Sequence, residues 1–333
     1  MDLLSLPPEI LANIFSYIQW NELVNIKLCA RKFNFIVKRY FKSMQKPKII
    51  EIMFCNDYTH VDYIDRIVVL YKILKSNTNS SENNDESRSM RAFCLPSSKL
   101  DELHNFLQKV DLTSLNLVDI SLDNHTEIIR IFGEYFHNPN RINSIYVTST
   151  NCEKDLDNTL SFLENIQNVE HLELNLCFSN LNVPKDFIIP VRNSLNSIVI
   201  HEKANTVFVN SRMIEYIVEN NPNLEEYNFF LNNFENYKMI IETVVRRKLS
   251  KRDNRCFHKS ICLRFGISSY ETFFELSNYD YSGNLPYNHS RISNLLFDNS
   301  IEVTFYNGYL ECPVCGEFDS IEICGRTFFF EFN

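Results

Sequence analysis

The stretch Val169-Glu170-His171-Leu172-Glu173-Leu174 decides the fold, because its apolar spacing returns along the chain at a near-constant interval. The pattern is apolar, two residues, apolar, one residue, apolar. Upstream it stands as Leu112-x-x-Leu115-x-Leu117 and Ile142-x-x-Ile145-x-Val147. Downstream it continues as Leu195-x-x-Ile198-x-Ile200 and Leu224-x-x-Tyr227-x-Phe229, then as a weaker copy, Ile261-x-Leu263, with His258 in the first slot. The central positions 115, 145, 172, 198, 227 and 261 are separated by 30, 27, 26, 29 and 34 residues. Such a period signals a solenoid, in which each unit buries its apolar face only against its neighbours. Between most copies lie residues at helical spacing. These are Ile128, Ile129, Phe132 and Phe136; Leu156, Leu160, Leu163 and Ile166; Met213, Ile214, Ile217 and Val218; and Met239, Ile240 and Val244. Pro184 and Pro190 interrupt the periodicity after Leu174, so that connection is expected to be irregular. Strand–helix–strand units of this size give parallel strands with helices outside, an α/β architecture.

In this spacing the middle of the chain resembles a degenerate leucine-rich-repeat horseshoe. That family places Asn or Cys three residues after the last strand apolar. Cys177 and Asn232 fit, whereas Ile120 and Lys203 depart from the pattern, which implies irregular curvature. Strand alternation then sends the flanking residues to the open face. They are Asn116, Tyr146, Thr148, Glu173, Asn175, Val199, His201, Asn228, Phe230 and Arg264. Polar and aromatic residues mixed in this way suit a protein-binding surface. Tyr146, Glu173, Asn175, His201, Asn228, Phe230 and Arg264 are the expected contacts to a target protein.

On the N-terminal side of the repeats, Ile49–Phe54 reads as a strand. Val61–Lys75 reads as a helix, with Ile64, Ile67, Tyr71 and Leu74 aligned. Asn77–Ser89 is polar and reads as a disordered loop. Arg91–Leu95 reads as a short strand, and Pro96-Ser97-Ser98 opens a helix carrying Leu100, Leu103, Leu107 and Val110. On the C-terminal side, Ile301–Tyr306 and Tyr309–Cys312 flank Asn307-Gly308, the residue pair a type I′ hairpin turn favours. Strands at Ile321–Ile323 and Thr327–Phe332 would complete a small antiparallel cap over the last repeat. The expected organisation is therefore 1–45 helical, 46–278 solenoid and 279–333 β-rich cap.

Cys312-Pro313-Val314-Cys315-Gly316 has the form of a zinc knuckle. Cys324 is a candidate third ligand, with His289, Cys256 or Cys262 for the fourth. No second CxxC or HxxxH completes the set, so the expectation is thiols in a β-cap, with no metal and no cofactor. Arg246-Arg247-Lys248, Lys251-Arg252 and Arg255 form the one basic cluster. It reads as the solvated end of a helix, with a nuclear-import or phosphate-binding patch as the other reading.

The first forty-odd residues are helical. Leu6-Pro7-Pro8-Glu9 opens a helix with proline in the first turn and a glutamate at the positive end of the dipole. Ile10, Leu11, Ile14, Phe15 and Ile18 follow as one apolar stripe. Asn21 is the expected N-cap of a second helix with Leu23 and Ile26. A third helix, from about Arg31, has Phe33, Ile36, Val37 and Tyr40 on one face. These apolar positions exceed what a three-helix core covers, so a partner surface is implied. Leu6-Pro7-Pro8-Glu9-Ile10-Leu11, Ile14-Phe15-Ser16-Tyr17-Ile18, Glu22-Leu23, Leu28-Cys29 and Phe33 closely resemble the F-box motif, over roughly Leu4–Lys42. The resemblance implies docking onto the Skp adaptor of SCF-type cullin–RING ubiquitin ligases. Carried over by position, Leu6, Pro7, Ile10, Ile14 and Phe15 would contact the adaptor. Leu23, Leu28 and Phe33 would hold the helices together or touch it too. An F-box followed by degenerate leucine-rich repeats resembles a class of substrate receptor, an α/β protein without catalytic chemistry of its own.

Composition agrees with a soluble globular chain: of 333 residues, 44% are hydrophobic and 23% charged, with a net charge of −9. The six glycines never fall at GxGxxG, GxxxxGKS or GxSxG spacing, so phosphate-cradle and hydrolase-elbow chemistries lack their turns. The acidic balance disfavours nucleic acid and anionic membrane as partners. Met1-Asp2-Leu3-Leu4-Ser5 lacks a basic signal-peptide start, and ten scattered cysteines do not spell a stapled scaffold, so the expected compartment is reducing, cytoplasm or nucleus. His201-Glu202 lacks the second histidine of HExxH, and no nucleophile is marked as activated, so a non-enzyme is expected.

Overall fold

The computed structural model describes residues 3–328 apart from 57–65, 75–89, 123–125, 138–139, 150–152, 179–180, 204, 250–257, 280–287, 291–292, 298–299 and 313. The expected loop at Asn77–Ser89 lies outside them. Three helices come first: α1 (Pro8–Ser16), α2 (Trp20–Cys29) and α3 (Arg31–Arg39). They close a small core of their own from Leu11, Ala12, Phe15, Leu23, Ile36, Val37 and Met44. The second helix begins at Trp20, with Gln19 in place of Asn21 as the flanking residue, and no side chain caps it.

The strands follow a recurring order: β1 (Ile49–Asn56), β2 (Arg66–Ile73), β3 (Met90–Pro96), α4 (Leu100–Leu107), β4 (Leu117–Ser121), α5 (Thr126–Tyr135), β5 (Ile142–Ser149), α6 (Glu153–Leu163) and β6 (Val169–Leu176). Next come β7 (Ser197–Glu202), α7 (Ser211–Asn220), β8 (Glu226–Phe230), α8 (Phe234–Val244), β9 (Ser260–Ile267) and α9 (Tyr270–Asn278). The chain closes with β10 (Asn288–Ser290), β11 (Ser293–Phe297), β12 (Ser300–Glu311) and β13 (Phe318–Phe328). All strands join one open, mostly parallel sheet, in the order β10-β12-β13-β9-β8-β7-β6-β5-β4-β1-β2-β3, with β11 beside β12. Among the described residues no helix is long and apolar enough to cross a membrane.

Parallel pairing runs β1-β4-β5-β6-β7-β8-β9-β13 and puts like residues in register. One inward row is Ile52, Val118, Ile145, Leu172, Ile198, Tyr227, Leu263 and Ile323, all buried. A second row holds Phe54, Ile120, Val147, Leu174, Ile200, Phe229 and Phe265, equally buried. The connecting helices cover these rows with Leu103, Leu107, Ile128, Phe132, Leu163, Met213, Ile217 and Ile240. Fully burying each such side chain contributes about 1.5–3 kcal/mol, so the rows dominate stability.

Several expectations are corrected by this register. Leu115-x-Leu117 is not the first strand pair, because Val118 and Ile120 pair with Ile145 and Val147. Asn116 therefore precedes the strand, and Asp119 takes the open-face position. At the far end Leu263 and Phe265, rather than Ile261 and Leu263, align with Tyr227 and Phe229. The helix expected over Val61–Lys75 is strand β2 where described. Its run Ile67-Val68-Val69 is β-branched, and β1 and β3 offer backbone partners on both sides. Asn307-Gly308 is not a turn but lies within the single strand β12, paired across to Glu322 and Ile321. The reversal comes at Cys312–Glu317, where Gly316 takes φ +77°. The strands expected at Ile321–Ile323 and Thr327–Phe332 are one strand as far as Phe328. That strand pairs antiparallel with β12, as expected of the C-terminal unit, and on its other edge continues the parallel sheet through β9.

As expected, no helix is described between β6 and β7. Side chains satisfy the backbone there instead: Ser194 Oγ accepts from Val169 N at 3.0 Å, and Thr206 Oγ1 from Phe178 N at 2.6 Å. The buried Asn221 donates to Val191 O at 2.9 Å and accepts from Leu195 N at 3.2 Å. A similar hub closes the β8 turn, where the Tyr237 hydroxyl accepts from Leu231 N at 2.7 Å and lies 2.6 Å from Gly266 O. Tyr237→Phe strands both backbone groups in the core and is expected to lower stability by about 1–3 kcal/mol. Urea denaturation checks this, and an unchanged midpoint would refute the role of the hub.

Candidate protein-binding surfaces

The outward residues of the parallel strands also fall into rows. Met53, Asp119, Tyr146, Glu173, Val199, Asn228 and Arg264 lie side by side across successive strands. Cys55, Ser121, Thr148, Asn175, His201 and Phe230 form the next row. All seven expected target contacts therefore share one face. Tyr146, Glu173, Asn175, His201, Asn228 and Phe230 are half-buried, and Arg264 is exposed. Asn116 is not on the strand, and Asp119 takes its place because the strand's inward pair is Val118 and Ile120, three residues beyond Leu115 and Leu117. Within the rows, Asn175 Nδ2 donates to Glu173 Oε1 at 3.3 Å, and Ser121 Oγ donates to Asp119 Oδ1 at 2.6 Å.

The His201 and Phe230 rings stack at 3.8 Å between centroids, 16° from parallel. The Phe230 ring lies over Gly266, where an added Cβ would come within 1.7 Å of it. Burial, with the charge of Lys203 behind it, lowers the His201 pKa to about 4, so the ring is neutral at pH 7. Burial also raises Asp119, against the Ser121 hydrogen bond that lowers it. Glu202 points inward, and burial pushes it up to about 7, although Oε1 accepts from Phe208 N at 2.8 Å and Val209 N at 2.7 Å. Its Oε2 is buried with no hydrogen-bond partner.

The N-terminal helices present a different surface. The apolar stripe of α1 splits in two. Leu11 and Phe15 turn inward, with Ile18 packed against the same core, whereas Ile10 is 49% and Ile14 41% exposed, followed by exposed Tyr17. Phe15, expected among the adaptor contacts, is 4% exposed and packs edge-on to Phe33 at 5.3 Å, so it builds the core. Leu23 is buried too, Leu6 and Phe33 pack partly against the core, Pro7 is exposed and Leu28 is 83% exposed. Lys32 Nζ donates to Leu4 O at 2.6 Å and Leu6 O at 2.9 Å, fastening the leading segment to α3. Nothing in the local sequence marked Lys32 for this task, since its acceptors are backbone carbonyls of a distant turn.

The thiols separate as well, and no disulfide joins the described cysteines. Cys312 and Cys315 gather with His258, their donor atoms all within 4.8 Å of one another. Cys324, the expected third thiolate, is elsewhere. It is buried 3.6 Å from Thr304 Oγ1, and burial pushes its thiol up to about 12. In the basic cluster, Arg246 and Arg247 pair with Glu215, and Arg247 also with Glu219, so these two arginines tie the helical turn Val245–Leu249, just after α8, to α7.

The geometry defines an α/β protein with an open, mostly parallel sheet, a helical N-terminal unit and a C-terminal antiparallel strand pair. Neither the protein-family models nor the curated proteins compared with this chain match it.

Two predictions follow from the buried groups. Glu202 binds its proton more tightly folded than unfolded, so its contribution to stability is lost as pH rises from 4.5 to about 7. His201 acts oppositely, losing stability as pH falls from 6.5 to about 4. Glu202→Gln removes only the Glu202 contribution, so its stability relative to wild type should be higher by about 3 kcal/mol at pH 8 than at pH 4.5. A pH-independent difference in urea midpoints would contradict this. Gly266→Ala should push the Phe230 ring off His201 at a cost of about 1–3 kcal/mol, read as a shifted His201 ring resonance.

Proposed function

We propose that the chain is the substrate-recognition subunit of an SCF-type cullin–RING ubiquitin ligase. In this reading residues 1–45 are an F-box that binds a Skp-type adaptor. Residues 46–278 are leucine-rich-repeat-like units that present a target protein on their open face, with 279–333 completing the sheet. The cullin–RING scaffold is reached through the adaptor, in cytoplasm or nucleus. The chain performs no covalent chemistry, because holding a target near the charged conjugating enzyme raises its effective concentration.

One observation carries the reading: α1 has two apolar stripes where its own core uses one. Leu11, Ala12 and Phe15 are the share of α1 in the three-helix core, and Ile10, Ile14 and Tyr17 just past its end repeat the spacing of Leu11, Phe15 and Ile18 one residue earlier, facing solvent. Apolar residues spaced for a helix face, yet left uncovered, are what an intermolecular contact requires. The F-box resemblance names the contact. The row from Tyr146 to Arg264 supports the second half of the proposal, since it joins aromatic, amide and charged groups without a dominant sign of charge.

The test is co-purification with a Skp adaptor. Ile10→Glu with Ile14→Glu places two charges in the apolar contact and leaves the buried Leu11 and Phe15 intact. Each charge costs several kcal/mol, so the dissociation constant should rise at least about a hundredfold while circular dichroism stays unchanged. Equal binding by wild type and variant, or binding by neither, would overturn the proposal.

A further inference from the structure

We propose that His258, Cys312 and Cys315 form a zinc site that clamps the β12–β13 turn to the start of β9. The turn is built for it. Cys312 N donates to Glu317 O at 2.8 Å and Gly316 N to Cys312 O at 2.9 Å. Gly316, at φ +77°, reverses the chain immediately after the second thiol. The parallel register of β13 with β9 supplies the histidine. Ser320 pairs with Ser260, Ser320 N donates to Lys259 O at 2.8 Å, and His258 is the residue before Lys259. Donors 54 residues apart in the chain, His258 and Cys312, are thus brought together by the sheet.

The donor set is the second line of support. His258 Nε2 lies 3.0 Å from Cys315 Sγ, and the three donor atoms fall within 4.8 Å of one another. Ligand distances of about 2.0–2.3 Å at tetrahedral angles place donors roughly 3.3–3.8 Å apart, so one ion fits among them with small adjustments. Two thiolates and an imidazole suit Zn²⁺. A nucleophilic cysteine paired with histidine would need one thiol, and the second thiol within reach is what a metal requires. The other nitrogen of the ring agrees. His258 Nδ1 is buried with no hydrogen-bond partner and faces Asp319 Oδ1 at 3.9 Å. Lys259 N holds that same oxygen at 2.8 Å. An imidazole on a metal through Nε2 donates its Nδ1–H to such a carboxylate, which orients the ring and strengthens the ligand. A tetrahedral ion takes one further ligand beyond these three.

The test is metal content of the full chain purified from zinc-supplemented cells without chelator. Wild type should hold about one zinc per chain and Cys312→Ser/Cys315→Ser less than about 0.2. Because the double variant can misfold, two further measurements keep the answer decisive. Asp319→Asn, which leaves all three ligands in place, should weaken zinc binding about 10–100-fold in competition with a chromogenic chelator. Cobalt exchanged into wild type should show the visible bands of a tetrahedral ion with sulfur-to-metal charge transfer. Wild-type zinc below about 0.2 per chain, cobalt without charge transfer, or zinc retained by the double variant would overturn the site. Ile10→Glu with Ile14→Glu should leave the zinc content unchanged, so this result and the adaptor result are independent.

Discussion

The in-register stacking of inward apolar residues along β1, β4–β9 and β13 is the constraint on which the rest of the molecule depends. No single strand can bury its pair of apolar residues. Each pair is covered by the pairs on either side and by the connecting segment behind it, a helix in most repeats, so stability propagates from neighbour to neighbour. Because side chains alternate along a strand, burying one set in register also brings the other set into register on the opposite face. The candidate target surface is therefore a by-product of the core: Tyr146, Glu173, Val199, Asn228 and Arg264 are aligned because Ile145, Leu172, Ile198, Tyr227 and Leu263 are. The surface can vary in chemistry while its geometry is held by residues a target never touches.

The same constraint explains where regularity is dispensable. The connection from β6 to β7 carries Pro184 and Pro190 and is described without a helix, yet the strands on either side keep their register. Ser194, Thr206 and Asn221 supply hydrogen bonds that helical backbone supplies elsewhere, and Phe187, Ile189 and Val191 fill the core. Tyr237 does comparable work behind β8. Polar side chains thus tie irregular backbone to the apolar rows, and a repeat can diverge in sequence without losing its place.

The N-terminal helices obey a different rule. Their core is small and separate, and their surplus apolar residues face solvent. Between α3 and the α4–α5 region lies a cleft of 1210 Å³, lined on one side by Lys38, Arg39, Lys42 and Lys46. A module that keeps its own core can present an apolar stripe without unsettling the sheet.

Much of this was legible in the sequence, because apolar spacing is a direct record of which face is buried. The period of the repeats, the α/β order, the helices at 126–135, 211–220 and 234–244, the irregular connection after Leu174 and the shared face of seven surface residues all follow from it. What the sequence alone left undetermined are matters of pairing. Ile67-Val68-Val69 fits helix or strand by local pattern, and backbone partners on β1 and β3 decided for strand. Asn307-Gly308 suits a tight turn, yet a long pairing with β13 carried β12 straight through it. The first strand slipped from Leu115 to Val118 because only cross-strand register distinguishes two equally spaced apolar pairs. His258 reads as a failed repeat position, and only the parallel pairing of β13 with β9 sets it beside Cys312 and Cys315. Local chemistry determined which residues are buried and which are available. The tertiary structure decided which of them meet, since hydrogen-bonded register acts between segments that carry no local trace of one another.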